Sequence, residues 1–245
     1  MEFSFMAEAS GMVFLAAVAQ SLTGFGFALV LVPLLSVVWD PKSVVVVSTV
    51  LNGLLSVSMT FRLRRQLVPS KIGLLLAGAL AGIPVGMVIL FALSPAPLRV
   101  LIGAAVIVLG LLIYLGLRFP VRAQRWPFVA AGILSGLLQS STSMGGPPAI
   151  LYLMSQGYSR AFMRGTLLAF FGPLSLLTAA GFAIGGLIGP GTLLVCAALV
   201  PATLLGIYVG ETIFPRVSSE LFRGLVVLLI VVAGTLSVVT GLRGL

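Results

Sequence analysis

"AVAQSLTGFGFALV", residues 17 to 30, lies inside an apolar run that reaches from residue 6 to residue 39. Gln20, Ser21 and Thr23 interrupt that run, together with Gly24 and Gly26. Backbone groups in lipid must be satisfied within their own segment, so polar groups and helix breakers there need a reason. A second stretch, "GLLQSSTSMGGPPAILYLM" at 136–154, has the same make-up. A shift of 119 positions lays Gln20 on Gln139, Ser21 on Ser140, Thr23 on Thr142 and Gly26 on Gly145. The shared pattern is Q-S-x-T-x-x-G.

The rest of the chain supports a bilayer setting. Of 245 residues, 60% are hydrophobic and 8% are charged, where a soluble domain carries roughly 25% charged residues. The fold class is therefore an all-α polytopic membrane protein. Eight apolar segments are expected, at roughly 5–38, 43–61, 72–93, 98–117, 127–156, 165–186, 191–214 and 221–241. Asp40-Pro41, Ser94-Pro95, "RFPVRAQR" and Gly189-Pro190-Gly191 punctuate them. The opening "MEFSFMAEAS" has no basic stretch, so a cleaved signal peptide is not expected.

The formal charge is +9, but the basic residues lie mainly between apolar segments, so they mark topology and not nucleic-acid binding. The chain has no His and one Cys, Cys196, which excludes an intramolecular disulfide and argues against an ordinary transition-metal site. No cofactor is expected. An enzyme is not expected either, because no buried acid stands ready beside a base.

Further matches extend the internal likeness. "GIPVG" (Gly82 to Gly86) falls on "GIYVG" (Gly206 to Gly210) at a shift of 124, as do Arg99 on Arg223 and Gly110 on Gly234. Ordered matches near half the chain length indicate a duplicated four-segment unit, 1–120 and 121–245. The pieces flanking each break hold roughly 12 to 16 apolar residues, short for a span of about 20 and suited to re-entrant helices. Loop charges agree. If segments one and five are hairpins, eleven basic residues share one face: Arg62, Arg64, Arg65, Lys71, Arg118, Arg122, Arg125, Arg160, Arg164, Arg216 and Arg223. Only Lys42, Arg99 and Arg243 lie on the other. If all eight segments cross, the split is eight against six and orients nothing. With hairpins each half crosses three times, so the halves are inverted, a secondary-transporter pattern, and both termini lie outside.

At each break the resuming helix, at Phe25 or Pro147, presents amide N–H groups without intrahelical partners and the positive end of its dipole. Pro147 suits a first helical turn. Facing tips of this kind would make a donor-rich pocket for a small oxyanion. Its candidate lining is Gln20, Ser21, Thr23, Gly24, Gly26, Gln139, Ser140, Ser141, Thr142, Ser143, Gly145 and Gly146. Asn52, whose counterpart at shift 119 is Phe171, is a further candidate. The bland readings stand beside these: serines bonded to their own helix, and glycines that let helices pack. "GIPVG" and "GIYVG" read as packing faces. Glu211, the acid deepest in an apolar stretch, is a candidate coupling residue or a partner of Arg216.

The paired breaks "QSLTGFGFALVLVPLL" and "QSSTSMGGPPAILYL" resemble the sulfite exporter family TauE/SafE, over essentially the full length. The resemblance implies a transporter of sulfur-containing anions such as sulfite or sulfoacetate in the bacterial inner membrane. Spacing and composition alone support only a small anion, and a carboxylate or cation transporter of the same build is the alternative. The partners expected are that anion and the lipid bilayer, with a homodimer by analogy.

Overall fold

In the computed structural model the described residues are 3–63, 69–115, 125–156, 158, 160–213, 234–235 and 237–244. Among them the regular structure is helical, with no strand. In chain order the helices are α1 (Phe3–Thr23), α2 (Phe27–Val38), α3 (Pro41–Leu63), α4 (Pro69–Ala92), α5 (Pro95–Leu115), α6 (Arg125–Thr142), α7 (Gly146–Ser155), α8 (Arg160–Ile184) and α9 (Pro190–Ile213). Residues 237–242 are also helical. Six helices, α1, α3, α4, α5, α8 and α9, hold stretches long and apolar enough to cross a membrane. Most of the expected eighth segment lies outside the described residues, as do Arg64, Arg65, Arg118, Arg122, Arg216 and Arg223.

Local chemistry accounts for the helix ends. Proline opens α3, α4, α5 and α9, where its missing N–H and fixed φ cost nothing. Asp40 caps α3: its Oδ2 accepts from the Ser43 amide at 2.8 Å and the Ser43 hydroxyl at 2.9 Å.

Both expected breaks are present, between α1 and α2 and between α6 and α7. The pieces around them differ from the expected short pairs. The helices before the breaks have 21 and 18 residues, and those after have 12 and 10. The polar residues explain this, since they do not end the helix. Ser21, Thr23, Ser141 and Thr142 each donate a hydroxyl to the carbonyl four residues back, at 2.8 Å, and the helix runs on to the threonine.

Glycines set the helix pairing. Along α4, Gly78, Gly82 and Gly86 meet the backbone of α6 so closely that a Cβ would lie 2.1, 2.0 and 2.1 Å from the carbonyls of Val129, Ile133 and Leu137. Gly132 and Gly136 of α6 do the same against Leu75 and Ala79. Along α9, a Cβ at Gly206 would lie 2.6 Å from Phe14 O, and one at Gly210 would lie 2.5 Å from Ser21 Cβ. Without a solvent-driven hydrophobic effect between them, membrane helices associate through such close backbone approach. Both glycine pairs read as packing faces therefore pack. Residue numbers rise together across each interface, so α4 runs parallel to α6, and α1 to α9. The α3–α8 crossing is antiparallel: Gly53 faces Ser175 while Gly172 faces Val57.

The two ends of the bundle gather different side chains. At one end Lys42 Nζ donates to Phe91 O at 3.1 Å, and Arg99 Nε donates to Ser36 O at 2.8 Å. Ser237 joins them by donating to Arg99 O. At the other end Lys71 Nζ lies 3.9 Å above the Tyr158 ring, near Phe162. The apolar side chains form two clusters. One contains Phe27, Leu31, Leu51 and Met144, the other Tyr152, Phe170 and Phe171. Phe25 and Met87 pack against both.

Candidate functional site

The first break turns at Gly24, whose φ of +86° suits a residue without Cβ. Thr23 holds the turn. Its hydroxyl donates to Ala19 O and accepts from the amides of Phe25 at 3.3 Å and Gly26 at 3.2 Å. Gln20 spans the gap. Its Oε1 accepts from the Phe27 amide at 2.9 Å, so it caps α2. Its Nε2 donates to Asn52 Oδ1 at 2.7 Å and Ser56 Oγ at 3.1 Å, both on α3. A buried amide needs several partners, and here one side chain ties α1, α2 and α3 together.

The second break turns at Ser143, with φ of 63°, 119 residues after Gly24. A serine in this region is strained, and its hydroxyl is held on both sides. It donates to Ser48 Oγ and accepts from Thr49 Oγ1, each at 3.1 Å. Gln139 Oε1 accepts from the Gly145 amide at 3.3 Å and Nε2 donates to Ser175 Oγ at 3.5 Å. Ser56 and Ser175 are also 119 apart, so each glutamine bonds the serine at the matching place on α3 or α8. Asn52 adds to the first set, and Phe171 stands at its counterpart position.

The two breaks touch. Phe25, from the first, lies over Gly146 of the second: a Cβ there would be 3.0 Å from Phe25 Cβ and 3.2 Å from Phe171 Cζ. Met144, the counterpart of Phe25, is buried in the cluster that holds Phe27 and Leu31. Around this contact lie Gln20, Thr23, Gly24, Gly26, Asn52, Gln139, Ser143, Gly145 and Gly146. Ser21 and Ser140 are turned elsewhere. Ser21 meets Gly210 and lies 3.9 Å from Met59 Sδ, while Ser140 donates to Ile83 O on α4 at 2.8 Å. Ser141 and Thr142 bond to their own helix.

The donor inventory is smaller than free helix ends would give. The chain's own oxygens take the amides of Phe25, Gly26, Phe27 and Gly145, and Pro147 and Pro148 have no amide hydrogen. The amides of Ala28, Leu29 and Gly146 meet no side-chain or loop acceptor among the described residues. Glu211 pairs with Arg164, Nη2 to Oε1 3.7 Å, and Arg164 lies against Gly24. Its expected partner, Arg216, is outside the described residues. Among the described residues no three His, Cys, Asp or Glu side chains converge.

A sequence profile of the sulfite exporter TauE/SafE family matches residues 9–236. The chain belongs to this family. No curated protein and no solved structure matches it significantly. TauE/SafE membership, with several membrane-length apolar helices, marks a multi-pass membrane protein of a transporter family linked to sulfur anions such as sulfite. In this TauE/SafE chain, sequence reasoning missed Phe25, Ser48, Thr49, Ser56, Arg164 and Ser175. Ser56 and Ser175 carried a usable signal, their spacing of 119. Ser48, Thr49 and Arg164 meet the breaks of the opposite half, which no local pattern announces.

Proposed function

We propose that the chain is a secondary transporter that moves a small sulfur-containing anion across the bacterial inner membrane by alternating access. Sulfite, sulfoacetate or another organosulfonate is the cargo. One observation carries this reading: two buried, non-helical breaks meet each other through Phe25 and Gly146. Irregular backbone at membrane depth is tolerated where it is buried in protein or lines a cavity, and facing half-helix N-termini suit anionic groups.

Several contacts support two inverted halves with re-entrant hairpins. α1 parallels α9 and α6 parallels α4, while α3 and α8 are antiparallel. That arrangement returns α2 to the end where α1 began, and α7 to the end where α6 began. Lys71 beside Tyr158 brings the start of α4 to the α7–α8 connection, as the hairpin topology requires. Ser237 beside Arg99 likewise brings the last segment to the Lys42 end. The excess of basic residues that the sequence assigns to the Lys71 side of hairpin topology would make that end cytoplasmic and the termini periplasmic.

Each hairpin is packed onto the fourth helix of the other half, α1 on α9 and α6 on α4. With α3 tied to the first block through Gln20 and α8 to the second through Gln139, the two blocks meet at the α3–α8 crossing and at the tips. Sliding of one block past the other would open the tip contact first to one face and then to the other.

Protein in liposomes is expected to move labelled sulfite or sulfoacetate, and Q139A and T142A to weaken that flux. A panel of carboxylates and cations tests the alternative, and preference for one of these over sulfur anions would replace the cargo named here. A cysteine at Asp40, between α2 and α3, tests the topology against a quiet background, since Cys196 is buried. Labelling from outside is expected, whereas labelling from the cytoplasm alone contradicts the hairpins.

A further inference from the structure

The first break lies against a charged side chain withdrawn from water. A Cβ on Gly24 would lie 3.0 Å from Arg164 Cα and 3.3 Å from its Cγ, so the arginine stem leaves α8 alongside the turn. The guanidinium reaches Glu211 on α9 at 3.7 Å, with side-chain exposures of 12% for Arg164 and 27% for Glu211. The neighbouring Gly210 rests on Ser21 and Val18 O. The pair therefore closes around the end of α1, where the first break starts.

A separation of 3.7 Å is longer than the roughly 2.7–2.9 Å of a charge-assisted hydrogen bond. This Nη2–Oε1 contact is therefore looser than a charge-assisted hydrogen bond, although the Arg164 side chain is largely withdrawn from water. A sulfite or sulfonate group presents three oxygens, and the planar guanidinium fork matches two of them at once. The first tip otherwise has little to offer an anion, because Thr23 and Gln20 already hold the amides of Phe25, Gly26 and Phe27. A full positive charge is the component the tip lacks. Glu211 is the more exposed partner, so it loses less on being released towards water.

We infer that Arg164 is the counter-charge for the transported anion and that Glu211 occupies its place while no anion is bound. The inference rests on the proposed function. Anion binding exchanges one carboxylate for one oxyanion on the same guanidinium, so Arg164 is paired in both states and the site's charge changes only by the cargo.

The test measures sulfite and sulfoacetate binding to the purified full-length protein in detergent, beside flux in liposomes. R164Q is expected to lose at least about tenfold in affinity, R164K to keep part of it, and E211Q to gain several-fold. The double variant R164Q/E211Q separates the roles. If the pair only latches helices together, removing both charges restores wild-type affinity, and the inference is overturned. If Arg164 holds the anion, the double variant stays weak. Unchanged affinity in E211Q also overturns it, and E211Q keeps the side chain's size should R164Q fold poorly. Wild-type protein that moves sulfite while R164Q binds it normally sinks this inference alone. Wild-type protein that neither binds nor moves either anion sinks the proposed function as well.

Discussion

The two breaks have one plan and different chemistry. The first turns on glycine, and a single threonine hydroxyl serves two of its amides. The second turns on serine, is fastened by hydroxyls of another helix, and dispenses with two amides by placing prolines there. Gln20 makes three bonds, at 2.7, 2.9 and 3.1 Å, where Gln139 makes two, at 3.3 and 3.5 Å. The first tip is closed by its own side chains. The second depends on α3, from the opposite half. Reaching the same backbone shape by self-capping in one place and by borrowed hydroxyls in the other ties the second tip to the position of α3.

Substitution at the two turns should break the comparison most sharply. G24V forces a β-branched residue to positive φ with Arg164 backbone 3.0 Å from its Cβ, at a cost of roughly 2–4 kcal/mol. Loss of the monodisperse peak in detergent chromatography is expected. S143G relieves strain while losing two hydroxyl bonds, so its midpoint should stay within about 1 kcal/mol of wild type. Next come the glutamines. Q20A should cost about 2–4 kcal/mol and Q139A about 1–2, read as thermal midpoints in one detergent. Equal losses would remove the asymmetry. N52L leaves Gln20 Nε2 with Ser56 alone, as Gln139 Nε2 has Ser175 alone, and a Q20A/N52L cycle should show coupling near 1 kcal/mol. The smallest effect belongs to the threonines. T23V should destabilise by about 1 kcal/mol, since it uncaps two amides, and T142V by less than about 0.5. A flux defect in T142V with an unchanged midpoint would place Thr142 at the cargo and not in the scaffold.

Much of the scaffold could be read from the chain because glycine and proline mark backbone events directly. Gly24, Gly145 and Pro147 announced both breaks, and Gly82, Gly86, Gly206 and Gly210 announced the packing faces. The lengths around the breaks are not legible in the sequence because Ser21, Thr23, Ser141 and Thr142 read as interruptions, whereas their hydroxyls fold back and let the helix continue. The sequence puts both glutamines at the pocket, and the structure engages each with its own break and with a serine on α3 or α8. Arg216, the partner that sequence proximity offers Glu211, lies outside the described residues, whereas Arg164 comes from another helix, and only the crossing of α8 past Gly24 brings it there.

The glycine seams have one more consequence, and it concerns synthesis. α1 settles onto α9, which leaves the ribosome about 190 residues later, and α4 settles onto α6, across the boundary between halves. During membrane insertion α1 must therefore wait, its glycine-lined partner not yet made. Two fragments cut between α5 and α6 should each be unstable alone in the bilayer and rescue one another when co-expressed.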